Sequence, residues 1–146
     1  MVTRAIILIF CLAAVVGCSG DSGGGDVESL LVTDGTNEQL YSVEDLEELA
    51  AEQAVFGGVS YVGVPLAALL IDAGYDPAKI SAVKASAEDG FTANYGLDLV
   101  NLSDTLVAYA RGDGALTEDD GTFRMVLPDQ EGKLNPRHLV EIKIIR

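Results

Sequence analysis

The chain has 146 residues, 49% of them hydrophobic and 22% charged, which fits one globular domain with a modest core and requires no second one. Nine basic residues against 23 acidic ones give a formal charge of −14. That balance lacks the positive field a polyanion needs and excludes nucleic acid as a partner. The acidic residues are scattered, so they read as a solubilising surface and not as a binding tail.

Arg4 precedes an unbroken apolar run from Ala5 to Val16, which then meets Gly17 and Cys18. A charged start, an apolar stretch and a small residue form the pattern of an export signal, and the run is shorter than the roughly 20 residues of a membrane span. Val15-Val16-Gly17-Cys18 resembles the bacterial lipobox, in which cleavage before the cysteine leaves it as the lipid-modified N-terminus; an ordinary secretory signal with a chance cysteine is the alternative. Ser19 to Gly25, SGDSGGG, is a flexible polar tether. The expected organisation is therefore a signal peptide over residues 1–17, lipidated Cys18 and a tether over 18–28, and a globular domain over 29–146. This places the protein on the extracytoplasmic side of a bacterial envelope with the membrane as partner through the anchor. Ser19 resembles the outer-membrane sorting choice of a Gram-negative host. Loss of Arg4 and Cys11 with the signal leaves eight basic and 23 acidic residues, a charge of −15. With Cys18 acylated no free thiol remains, which removes a disulfide framework, a cysteine nucleophile and a thiolate ligand alike.

Ser29 to Thr33 is predicted as a short strand closed by the Asp34-Gly35 turn. Ser42 with Asp45 three residues on opens a helix in the manner of a capping box, with Glu44, Asp45, Glu47 and Glu48 suited to its positive end and Val43, Leu46, Leu49 and Ala50 as the buried stripe. The acidic cluster reads as a solvated face and not as a metal site. Gly57-Gly58 interrupts, and Val59 to Val62 leads into Tyr61 to Ala73, YVGVPLAALLIDA. There Pro65 suits a first helical turn, Gly74 suits the position past the end, and Leu66 to Ile71 are apolar on every side, so burial must hold the helix. Ile80 to Ala87 alternates with Val83, Ala85 and Ala87 on one face. Asp89-Gly90 turns the chain, and Phe91, Ala93 and Tyr95 resume the alternation, predicting a hairpin. Thr105 to Ala110 is another strand. Arg111 to Gly121 is a turn-rich loop whose Asp113, Glu118, Asp119 and Asp120 do not have the spacing of a calcium-binding EF-hand. Phe123 to Leu127 is a strand with Arg124 on the face opposite Phe123, Met125 and Leu127. A loop from Pro128 to Arg137 precedes a last strand in which Val140, Ile142 and Ile144 alternate with Glu141 and Lys143. The sum is an α+β domain with mixed or mostly antiparallel sheets and a few short helices.

In this order the stretches resemble the molybdopterin-binding domain of the sulfite oxidase superfamily, which includes the periplasmic methionine sulfoxide reductases. Gly63-Val64-Pro65-Leu66 with Ala73-Gly74 is similar to the family's GVPL-type helix and alanine-glycine end. Asp89-Gly90-Phe91 is similar to its aspartate-glycine-aromatic turn, and Val107-Ala108-Tyr109 to its "LAY" strand. Gly121 with Arg124 and Pro128 is similar to its arginine strand, and Arg137-His138-Leu139 stands where the family has lysine, tryptophan and leucine. The similarity runs from about Leu40 to Ile145. It implies a sulfite-oxidase-type fold and a molybdopterin cofactor whose phosphate is gripped by basic residues and whose molybdenum is ligated by an upstream cysteine. No such cysteine precedes the domain except Cys18 at the end of its tether, and the chain has no tryptophan.

The basic residues that remain at the implied site are Arg124, Lys133, Arg137 and His138, which could hold a small anionic ligand by charge-assisted hydrogen bonds. Each also has an ordinary role open to it: ion pairing for Arg124, a solvated loop position for Lys133, surface packing for Arg137 and His138. His138 is the only histidine and is not read as a metal ligand. Two functions follow. One is a degenerate, non-catalytic binding or scaffolding module at the membrane. The other is a molybdopterin-dependent redox enzyme that binds its cofactor through Arg124, Lys133 and Arg137 and uses a non-cysteine metal ligand.

Overall fold

In a computed structural model the chain is described over residues 28–146, so the expected signal peptide, Cys18 and the glycine-rich tether lie outside the described residues. The elements in chain order are β1 (Leu30–Thr33), β2 (Glu38–Tyr41), α1 (Val43–Glu47), β3 (Glu52–Phe56), β4 (Val59–Pro65), α2 (Leu66–Asp72), β5 (Ala82–Ala87), β6 (Thr92–Gly96), α3 (Leu97–Val100), β7 (Leu106–Arg111), β8 (Gly114–Ala115), β9 (Arg124–Val126) and β10 (Leu139–Ile145). One sheet has the order β2-β1-β10-β5-β6. The other runs β3-β4-β7-β8, with β9 also paired to β7. Only β1 and β10 run parallel; every other pairing is antiparallel, so the domain is α+β with mixed, mostly antiparallel sheets.

Both sheets contribute to one core. Val32, Val83, Tyr95 and Ile142 of the first meet Val64, Val107 and Met125 of the second, with Leu46 of α1 and Leu66, Leu69 and Leu70 of α2 between them. A smaller core lies on the other face of the second sheet, where Ala54, Tyr61, Leu106, Ala108 and Val126 cluster.

Local chemistry explains the element ends. Ser42 and Asp45 form the reciprocal capping box at α1. Ala50, expected in the buried stripe, is exposed, because α1 stops at Glu47 and the chain has already left the helix. Pro65 is the last residue of β4 and the N-cap of α2, one position earlier than its expected place in the first turn. At the other end Gly74 takes φ +93, and the amides of Gly74 and Tyr75 donate to the carbonyls of Ile71 and Leu70, a Schellman closure that a side chain at Gly74 would strain. The helix is not buried all round: Leu66, Leu69 and Leu70 are fully buried, whereas Ile71 points out and is 63% exposed.

The hairpin of β5 and β6 has the predicted register, Val83 opposite Tyr95 and Ala85 opposite Ala93. Asp89 caps its turn by accepting from the Phe91 amide at 2.9 Å, which leaves the Phe91 ring outside the core. In β10 the inward set is Leu139, Ile142 and Ile144, and Val140 is exposed. A register shift between Leu139 and Glu141 places two residues of β10 against one of β5 and breaks the simple alternation. At the centre of the second sheet, a side chain on Gly63 would collide with the Val107 carbonyl and the Ala108 backbone, so β4 and β7 can approach as they do only with glycine there.

Candidate functional site: a groove at the arginine strand

Arg124 leaves β9 on the side opposite Phe123, Met125 and Leu127, as alternation predicts, and enters the smaller core beside Tyr61 and Val126. Its side chain is 5% exposed, and a charge this deep must be paired. Asp120, on the loop just before the strand, does so. One carboxylate oxygen lies 2.7 Å from Arg124 Nη1, and the other lies 2.8 Å from Nη2 of Arg111 at the end of β7. Arg124 Nη1 also donates to the Tyr61 hydroxyl at 2.9 Å, and its guanidinium carbon lies 4.6 Å from the centre of the Tyr61 ring. The Thr117 amide and hydroxyl donate to the same Asp120 carboxylate.

Burial by itself pushes the Asp120 carboxyl up, but the hydrogen bonds from Arg124, Arg111 and Thr117 outweigh it and hold the group down at about 2. Two guanidinium charges against one carboxylate leave one positive charge in excess, inside a chain that is otherwise strongly acidic. That excess has an outlet. Arg124 Nε and Nη1 are spent on Met125, Tyr61 and Asp120, while Nη2 has no hydrogen bond among the described residues. The side chain lines a cleft of about 340 Å³ together with Phe56, Val59, Tyr61 and Arg137.

Arg137 is exposed and forms no ion pair among the described residues. It lines this cleft and also a larger one of about 540 Å³, so the structure brings Arg124 and Arg137 to a common cleft. His138 lines only the larger cleft. Its backbone takes φ +52, the one positive value at a residue other than glycine among the described residues. Its amide donates to the Asp120 carbonyl and its carbonyl accepts from the Glu88 amide. Gly121 packs against it so closely that a side chain there would meet the imidazole. The ring stands 4.0 Å from the Glu88 carboxylate. Lys133 lies apart: it pairs with Glu131 at 3.1 Å, is well exposed and lines neither cleft.

By sequence Asp120 is one of several loop carboxylates, and its spacing of four from Arg124 signals no contact outside a helix, so the pair emerges only from the turn that the loop makes before β9. The roles of Tyr61 and Phe56 depend on β3 and β4 bringing them under Arg124, which no local pattern reveals.

The family described as the oxidoreductase molybdopterin binding domain matches residues 27–146. The chain belongs to that family. The crystal structure of the sulfane dehydrogenase SoxCD from Paracoccus pantotrophus superimposes on 81% of this chain with a TM-score of 0.69 at 19% sequence identity, a likeness of fold. The matched part is 38% of that protein's chain. No curated protein matches the sequence.

The family's cofactor carries a phosphate and a metal, and the two make separate demands. For the phosphate end, residues of suitable charge are present: a buried arginine whose Nη2 has no hydrogen bond among the described residues and an exposed Arg137 without an ion pair among them line one cleft. The metal end is not met. The described residues contain no cysteine, and among them no group of three His, Cys, Asp or Glu side chains is placed to hold a metal ion.

Proposed function

We propose that this oxidoreductase-like domain is a non-catalytic binding module, lipid-anchored on the outer side of a bacterial membrane, that holds a phosphate-bearing ligand between Arg124 and Arg137. The observation that carries the binding role is that buried Arg124, whose Nη2 has no hydrogen bond among the described residues, lines the same cleft as Arg137. The absence of a thiol from the described domain supports the non-catalytic role, since the fold alone does not carry the chemistry of its family. The lipobox-like Val15 to Cys18 supports the anchor.

Titration of the full chain, extracted in detergent, with inorganic phosphate tests the binding role. Wild type and Lys133→Ala should bind alike, because Lys133 pairs with Glu131 and does not line the cleft, and Arg137→Ala should weaken binding about tenfold or more, the loss of one charge-assisted contact. Equal affinity in Arg137→Ala and wild type would remove Arg137 from the site. For the anchor, Cys18→Ser should move the protein from membrane to soluble fractions, and unchanged membrane recovery would contradict acylation.

A further inference from the structure

The two clefts meet at Gly132, Asn135 and Arg137, which line both. They are lined differently. The smaller has cations and aromatic rings and no carboxylate on its walls. The larger carries the carboxylates of Glu88, Asp89 and Asp119 together with the Phe91 ring and His138. We infer that they form one groove for a purine nucleotide, its phosphate held between Arg124 and Arg137 and its base lying on Phe91. This extends the phosphate-binding reading above and rests on it.

The polarity of the groove sets the direction of the ligand. A phosphate is repelled from the end with three carboxylates and is drawn to the end where Arg124 and Arg137 stand. The larger cleft, at about 540 Å³, falls in the size range of small-molecule sites. Phe91 offers the flat apolar surface: the Asp89 cap fixes its backbone and its ring stays 44% exposed in the cleft instead of joining Ala93 and Tyr95 in the core. A base stacks on such a ring whatever its sequence context. Recognition of the base edge needs acceptors for ring N–H and amino groups and donors for carbonyl and ring nitrogen atoms. Carboxylates supply the former and His138 the latter, a set that matches guanine, with its N–H and amino donors beside O6 and N7 acceptors. Asn135 takes no part, since its amide is spent on the backbone of Leu127, Gln130 and Glu131.

The test is calorimetric titration of the full chain, produced in a host without pterin synthesis, with inorganic phosphate, guanosine and GMP. GMP should bind about tenfold or more tighter than phosphate, the scale of one base–aromatic stack, and guanosine should bind more weakly than GMP. Phe91→Ala, a change at an exposed ring, should abolish the preference for GMP and leave phosphate binding unchanged. Equal affinities for GMP and phosphate, or a GMP preference that survives Phe91→Ala, would overturn the nucleotide assignment and leave the phosphate site standing. Binding of neither ligand would overturn both.

Discussion

Asp120→Ala is expected to lower the stability of the domain by about 3–5 kcal/mol at neutral pH, a large share of the roughly 5–15 kcal/mol typical of a single domain. The reason is that Asp120 is the only carboxylate paired with either Arg124 or Arg111 among the described residues, and the Arg124 side chain is almost wholly buried. Truncation leaves a buried guanidinium uncompensated. Urea unfolding measures the effect, and a midpoint equal to that of wild type would show that the pair is not what holds Arg124. The same carboxylate makes stability depend on acid. Its folded-state value, about 2, lies below its ordinary value of 3.8, so its contribution is complete above the ordinary value and is lost as pH falls through the folded value. Unfolding measured at successive pH values should therefore show about 2 kcal/mol disappearing between about pH 4 and pH 2, and Asp120→Asn should flatten that slope.

Leu70→Ala should cost about 2–5 kcal/mol. Leu70 is fully buried among both sheets, and its carbonyl also closes the C-terminus of α2, so the cavity would open where the helix is anchored. Ile71→Ala, one residue further along the same helix, should stay within about 0.5 kcal/mol because the side chain is exposed. Thermal or denaturant unfolding of the pair separates the two positions. Similar losses in both would mean that the outer face of α2 is covered in solution.

Those neighbouring residues also show where sequence reasoning reaches its limit. The run from Leu66 to Ile71 is apolar throughout, so composition marks a buried helix but cannot choose its outward side; the packing of three leucines against two sheets makes that choice. Strands with clean alternation, such as β5 with Val83, Ala85 and Ala87, were legible because one face meets the core and the other water. The edge strands β2 and β3 were not, since each buries a single residue, Tyr41 and Ala54, and leaves the apolar Leu40 and Val55 exposed beside polar neighbours, so no inward face stands out. The one-turn helix α3 and the two-residue β8 are too short to leave a period. In β10 the bulge after Leu139 reverses part of the pattern, which only pairing with β5 reveals.

At the site, alternation placed Arg124 on the correct face, and proximity in the chain kept Arg137 and His138 together. The separation of Lys133 from them follows from the turn at Gly132–Leu134 and its ion pair with Glu131, and the joining of Arg124 to Arg137 follows from the meeting of two loops and a strand. These are long-range facts. What remained readable was the lack of a thiol in the domain: no cysteine follows Cys18 in the sequence.

The central claim is that this domain keeps the phosphate-holding end of a molybdopterin-binding fold and lacks the metal-holding end. Its most direct test is to purify the full chain from a host able to make the cofactor and to measure molybdenum, tungsten and acid-released pterin against protein. Metal well below one equivalent is the expected result. Stoichiometric molybdenum or tungsten together with pterin would contradict the claim.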